Sequence, residues 1–324
     1  MNLIDVNSTL PASGYSFLNA LAKKGRRPAT IKRYLYDLED FFRWIHENKG
    51  APYEFPAISE SDLHDYFYML ESERQYQLRT IKRVETVLKQ FFRYLVTEQV
   101  ILDSPVPTLT SENNVQNKIT REHFLSEKEQ QRLLQTIESL EGLSKRQIKA
   151  RPLLIKRNLA IVTLILHYGL SLREVTQLKM NDFSFVRNTL HVHSDSSLTR
   201  TIDLTIDDKV LCFEYLHTIP EPVRPRLHSD DPFFIAFDFQ RNTYRWVYEL
   251  DQPKALTEIS VQKMIRLEVK RAGLRKGISA QHLRHTYAMN ALKDHAAHEE
   301  VLANLGMKTA FGLNKYLEYL AEKH

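Results

Sequence analysis

The stretch Ser279-Ala280-Gln281-His282-Leu283-Arg284-His285-Thr286, followed after Leu305-Gly306-Met307 by Tyr316, carries the densest set of chemically informative residues in the chain. Tyr316 shares helical spacing with Leu313, Leu317 and Leu320, the pattern of a core tyrosine with a satisfied hydroxyl. If exposed, the same phenol is a weak nucleophile with a pKa of about 10. Arg284 offers charge-assisted donors that suit either a DNA phosphate or a structural carboxylate. Both pairs of alternatives stay open at this level.

Around that stretch lies a chain of 324 residues with 43% hydrophobic content, long enough for two domains with separate cores. Its 45 basic and 40 acidic residues leave a formal charge of only +5, so a polyanionic partner has to be read from how the charge is distributed. Cys212 is the single cysteine, which excludes an internal disulfide framework and a cysteine-based zinc site and suits a reducing cytoplasm. No apolar run approaches the roughly 18 residues that span a bilayer, and the N-terminus MNLIDVNSTLPAS lacks the pattern of a secretory signal. The expectation is a soluble cytoplasmic protein with no membrane partner and no cofactor. His191 with His193, and His295 with His298, lack carboxylate or cysteine ligands at matching spacing, so no metal site is expected.

Towards the N-terminus, residues 11–24 read as a helix ended by Gly25. Ile31, Tyr34, Leu35, Leu38, Phe41, Phe42 and Ile45 mark a second, which Gly50 stops. A third begins at Ser59, with Glu60 and Asp62 in its first turn. The fourth, over 77–98, carries two stripes: Ile81, Val84, Leu88, Phe91 and Leu95 are apolar, while Arg79, Lys82, Thr86, Lys89 and Arg93 are polar and mostly basic. Two residues are about 200° around a helix, so one stripe enters a core and the other faces away. Charge in this half is segregated. Lys23, Lys24, Arg26, Arg27, Lys32 and Arg33 lie in a window without acids, and residues 53–73 hold six acids without a base. Basic second and fourth helices, the latter with Arg83 as well, suit a surface that tracks phosphates and enters a major groove.

Residues 107–122 read as a linker between domains at 1–106 and 123–324. The second domain opens with a capping box at Ser126 and Glu129. Lys145, Arg146, Lys149, Arg151, Lys156 and Arg157 follow without an acid and form another candidate phosphate surface, ahead of a buried helix over 158–168. Alternation at Leu190, Val192, Ile202, Leu204 and Ile206 predicts a small antiparallel sheet, and residues 233–237 a short apolar strand. A helix starts at Asp207, and one over 257–272 carries Lys263, Arg266, Lys270 and Arg271.

The Leu-Arg-His-Thr core, the later Leu-Gly and Tyr316 together resemble the C-terminal half of a tyrosine recombinase (phage integrase) site, which reads H-x-L-R-H-T, then L-G-H, then the nucleophilic tyrosine. Thr30 with Tyr34 and the basic helices look like that family's N-terminal core-binding domain. The resemblance implies a mainly α fold with a small antiparallel β-sheet: an N-terminal helical, SAM-like domain and a C-terminal catalytic-like α+β domain. It also implies a 3'-phosphotyrosyl intermediate served by two arginines, a hairpin lysine and histidines. Arg284 and Tyr316 stand where the second arginine and the nucleophile belong. Alignment on Gly169, Leu170 and Glu174 puts Ser171 at the first arginine, with Ser171 and Glu174 forming a capping box instead. Asp195 stands at the hairpin lysine, Gln281 at the first histidine and Met307 at the second. Arg200 is close to the hairpin but is a poor general acid.

Four of six catalytic positions therefore depart from the pattern, and negligible strand cleavage is expected. The expected function is sequence-specific binding of double-stranded DNA by a scaffold that has lost cleavage, as in recombinase-derived repressors that maintain prophage lysogeny. Such a protein is nucleoid-associated, self-association on DNA and an antirepressor of protein or small-molecule kind being open. The alternative is an active site-specific recombinase using Tyr316, with catalytic groups relocated to Arg173, Arg200, His282 or Lys308.

Overall fold

Amphipathic periodicity in the first hundred residues produces four helices around one aromatic core. The computed structural model describes residues 10–50, 58–106, 118–193 and 198–322. The chain divides into two units, Met1–Asn114 and Val115–His324.

In the first unit, α1 (Ala12–Lys23) and α2 (Pro28–Lys49) are long helices, α2 opening on Pro28, whose missing N–H costs nothing in the first turn. Helix α3 (Glu60–Tyr68) starts at a reciprocal Ser59–Asp62 capping box and continues as a π turn over Met69–Glu73. In α4 (Leu78–Thr97), Val84, Val87, Leu88, Phe91, Phe92 and Leu95 are buried, as its apolar stripe requires. Rings interlock edge to face where α2 meets α4: Phe42 lies 5.6 Å from Phe91 at 88°, and Phe41 lies 6.2 Å from Phe92 at 81°. Tyr66 donates to Asp40 at 2.9 Å, and Arg74 grips the same carboxylate.

The second unit is built on α5 (Glu127–Glu138) and α6 (Lys145–Tyr168), each begun by a capping box, at Ser126 with Glu129 and at Ser144 with Gln147. The predicted buried helix is the second half of α6, and the basic run before it is the first half. Gly169 ends α6 in the left-handed region at φ 67°, and a Cβ there would lie 2.5 Å from the Tyr287 ring, so glycine is required on both counts. After α7 (Leu172–Gln177), strands β1 (Phe183–Ser184), β2 (Thr189–Val192) and β3 (Arg200–Asp203) form an antiparallel sheet in that order, with Leu190 opposite Ile202 and Val192 opposite Arg200. Helix α8 (Ile206–Thr218) follows a Thr205 cap.

Instead of one strand, residues 233–237 make a bridge from Ile235 to Ala255 and then β4 (Phe237–Asp238), paired with β5 (Thr243–Tyr244). Phe233, Phe234 and Ile235 are all buried, so this segment plugs the core rather than showing one face to it. Helices α9 (Glu258–Arg271), α10 (Ala280–Lys293), α11 (His298–Asn304) and α12 (Phe311–Ala321) complete the unit.

Most of the predicted linker, 107–117, lies outside the described residues. Its far end belongs to the second unit: Ile119 packs in a buried cluster with Tyr287, Leu305 and Tyr316, and Arg121–His123 form a turn of 3-10 helix.

Candidate functional site

Helix α10 carries Arg284 to the place where α6 ends and α7 begins. Its Nη1 donates to Gly169 O at 2.6 Å and approaches Glu174 Oε2 at 3.3 Å, while Nη2 donates to Leu305 O. Glu174, buried on α7, also holds Arg200 from β3, with Nη1 to Oε1 at 2.6 Å and Nη2 to Oε2 at 3.3 Å. The same carboxylate accepts the Ser171 backbone N–H at 2.7 Å, and Ser171 Oγ accepts from Glu174 N–H in return. One buried acid thus fastens two guanidinium groups and caps a helix. Burial pulls the Arg284 pKa down, opposed by Glu174.

Arg284, open between a DNA phosphate and a structural carboxylate, and Arg200, a candidate DNA contact, are both engaged by Glu174 in this arrangement. The Arg200 side chain is 6% exposed and spends two nitrogens on Glu174; Arg284 is stapled to two carbonyls and that acid. Ser171 is a helix cap, which agrees with the capping box read from the sequence.

Tyr316 is 1% exposed, in α12. Its hydroxyl lies 2.6 Å from His285 Nδ1, and His285 Nε2 lies 3.1 Å from the Gln281 side-chain amide nitrogen. The three residues form one hydrogen-bonded chain across α10 and α12. Burial pushes the phenol up to about 12, with Arg284 opposing. Burial, and then the positive charge of Lys315, push His285 down to about 3, so the imidazole is neutral near pH 7. Of the two roles open to Tyr316, the geometry is that of a core tyrosine with a satisfied hydroxyl. Met307 stands half-buried against Gly312, where a Cβ would fall 2.6 Å from its sulfur, and offers an apolar contact rather than a proton. Asp195 lies outside the described residues. Beside these groups opens a cleft of about 270 Å³ lined by Ser171, Gln281, Arg284, Ser279 and, from α9, Arg266.

The remaining predicted phosphate contacts divide by burial. Arg26, Lys32 and Arg33 at the start of α2, Arg79 and Arg93 on α4, Lys145, Arg146 and Lys149 on α6, and Lys263, Arg266 and Lys270 on α9 are exposed. Arg27, Lys82 and Lys89 are half-buried, and Lys89 pairs with Glu85 on its own helix at 2.6 Å. Lys156 pairs with Glu214 at 2.7 Å.

Four more of the predicted contacts are turned inward or tied down. Arg83 reaches across to the buried Asp37 carboxylate. Arg151, 3% exposed, is held by Glu268 at 2.6 Å, and Arg271 is held by Glu268 and by the carbonyls of Ser139 and Glu141. Arg157, 5% exposed, bonds only neutral groups. The physical reason is helical phase. Ala150, Arg151, Leu154, Arg157 and Asn158 share the buried face of α6, and Lys145, Arg146 and Lys149 lie off it. Ser144 with Gln147 was the available signal, because a helix started there places Arg151 beneath Ile137 and Glu268. Glu174 and Glu268, the acids that organise these clusters, were not singled out as counter-ions.

The phage integrase N-terminal SAM-like domain family matches residues 15–101. Over 279 residues the chain is 26% identical to tyrosine recombinase XerC of Lactobacillus delbrueckii subsp. bulgaricus, covering 86% of this chain and 84% of that one. It is 23% identical over 275 residues to tyrosine recombinase XerD of Oceanobacillus iheyensis, covering 85% and 82%. Among solved structures, XerH site-specific recombinase bound to difH substrate superposes with a TM-score of 0.67 at 21% identity, covering 96% of this chain and 84% of that one. A lambda integrase dimer bound to a COC' core site gives 0.62 at 17%, covering 94% of each.

Proposed function

The chain belongs to the tyrosine recombinase family, and we propose that it is a sequence-specific double-stranded DNA-binding protein that does not cleave its site, acting as a transcriptional repressor of the kind that maintains prophage lysogeny. The observation that carries this reading is the state of Tyr316, whose hydroxyl is buried and bound to His285; the sequence resemblance, which puts Ser171, Gln281 and Met307 where catalytic groups are expected, supports it. A raised phenol pKa and a serine at the position aligned with the first arginine both oppose attack on a phosphate. Loss of one transition-state arginine costs roughly 10³ to 10⁵ in rate, and neighbouring losses do not restore it. Binding needs none of this chemistry. It needs cations on helix faces, and α2, α4, the start of α6 and α9 display them. XerH and lambda integrase were solved on DNA, the latter as a dimer, and self-association on the operator belongs to the same proposal.

A second reading, an active recombinase, is favoured by two observations: relatives that span most of the chain are recombinases, and Arg284 and Tyr316 stand where the sequence resemblance puts the second arginine and the nucleophile. A nicked-substrate trap separates the two. On target DNA recovered by genomic footprinting, the expected result is a sequence-specific, salt-sensitive complex with no covalent adduct on denaturing gels. Tyr316→Phe should retain full repression and affinity. A covalent adduct that disappears in Tyr316→Phe would establish the recombinase reading instead.

A further inference from the structure

Between the first half of α6, the β4–β5 hairpin and α9 lies a cavity of about 480 Å³, within the range that holds a drug-sized molecule. Its lining mixes apolar side chains, Leu154, Phe237, Leu256, Met264 and Leu267 among them, with polar and charged ones. One wall carries Arg157, a guanidinium that is 5% exposed and makes no ion pair among the described residues. Its bonds run to Asn158 Oδ1 at 3.2 and 3.3 Å and to Ile235 O at 3.3 Å, all with neutral acceptors and longer than the usual 2.9–3.0 Å. A buried charge is costly unless an opposite charge compensates it.

The surrounding charges do not compensate it. Glu268, the acid on the cavity wall, is already committed to Arg151 and Arg271. Arg151 keeps its Nε buried without a partner. Lys254 and Lys263 stand exposed on the cavity lining, and Arg245 is held only by a 3.4 Å contact to Asp238. The cavity therefore joins an apolar patch to an excess of positive charge, with one buried guanidinium that lacks an anionic partner among the described residues.

We propose that this cavity is a binding site for a small organic anion, a carboxylate on an apolar body, whose head meets Arg157 and the lysines while its body lies among Leu154, Phe237 and Met264. The site shares only Lys263 with the exposed cations of the DNA-binding reading. All its residues lie in the second unit and none is among the family-site positions around Arg284.

The test uses the full chain and two fluorescent dyes of nearly equal shape, the anionic 8-anilinonaphthalene-1-sulfonate and the neutral N-phenyl-1-naphthylamine, with decanoate as competitor. The expected result is saturable one-to-one binding of the anionic dye, displacement by decanoate, and at least tenfold weaker binding of the neutral dye. Met264→Trp, which fills the cavity, should abolish both. Arg157→Met should erase the preference for the anion while the neutral dye still binds. Lys254→Glu, at an exposed position that folding tolerates, should lower anion affinity severalfold and reads the same preference if Arg157→Met fails to fold. Equal affinity for the two dyes, or anionic-dye binding undiminished in a folded Met264→Trp, would overturn the proposal.

Discussion

Helices α4 and α6 carry similar numbers of cations and divide them differently between solvent and interior. On α4 the apolar stripe from Val84 to Leu95 enters the core, and Arg79 and Arg93 point into solvent. On α6 the cations straddle the boundary: Lys145, Arg146 and Lys149 stay outside, and Arg151 and Arg157 are drawn into the interior. A cation's phase relative to the apolar face decides whether it is a surface for a polyanion or a structural part that demands a counter-charge. The same rule separates Arg266, open on α9, from Arg284, which Glu174 and two carbonyls hold in place.

The sharpest way to break this contrast is to remove a counter-charge. Glu268 is fully buried and holds Arg151 and Arg271 together, so Glu268→Ala strands two guanidinium groups in the interior. Breaking a buried pair costs roughly 3–5 kcal/mol. The expected outcome is a loss of that order in the urea unfolding free energy, a large share of the roughly 5–15 kcal/mol that a folded domain commands. A loss below about 1 kcal/mol, the range of exposed pairs, would mean that these arginines reach water and that α6 is no different from α4.

How far the sequence discloses each region follows from the same physics. In α4, two stripes identify the core face and the basic face, because each lies on one side of a single helix, and the exception is Arg83, drawn to Asp37 across 46 positions. In α6, the run from Lys145 to Arg157 looks uniformly basic, and only the starting residue of the helix shows which cations turn inward. Ser126, Ser171 and their partner glutamates are readable because a capping box is a local device, complete within four residues. Glu174 with Arg200, and Glu268 with Arg151, are pairs formed across 26 and 117 positions. No local pattern announces them. The residues expected by alignment at the recombinase positions can be read from the chain, whereas the bond between Tyr316 and His285 emerges only when α10 and α12 pack.

A smaller effect sharpens the other side of the comparison. Arg79→Ala and Arg93→Ala remove exposed cations from α4, and the unfolding free energy should stay within about 0.5 kcal/mol of the parent. If these residues touch phosphates, each substitution should weaken operator binding about equally across sequences and reduce the slope of log affinity against log salt by about 1. Fluorescence anisotropy at several salt concentrations measures both quantities. An unchanged slope would remove α4 from the interface and leave the cations of α2, the start of α6 and α9 to carry it.

The smallest effect lies within α4 itself, where Lys89 meets Glu85 at 2.6 Å one turn away. Lys89 is half-buried, and its charge is partly spent on that carboxylate before any DNA arrives. A surface i,i+4 pair contributes about 0.3–0.5 kcal/mol, so Glu85→Gln should cost little stability. Its informative consequence is on binding, because removing the acid frees Lys89 and deletes a negative charge from the basic face. Operator affinity in Glu85→Gln should rise severalfold at low salt, and the gain should fade as salt screens it. An affinity that stays level at low salt would place Lys89 outside the DNA contact, and the pair would then be a solvated ornament of the helix, with Arg79 and Arg93 alone defining its working face.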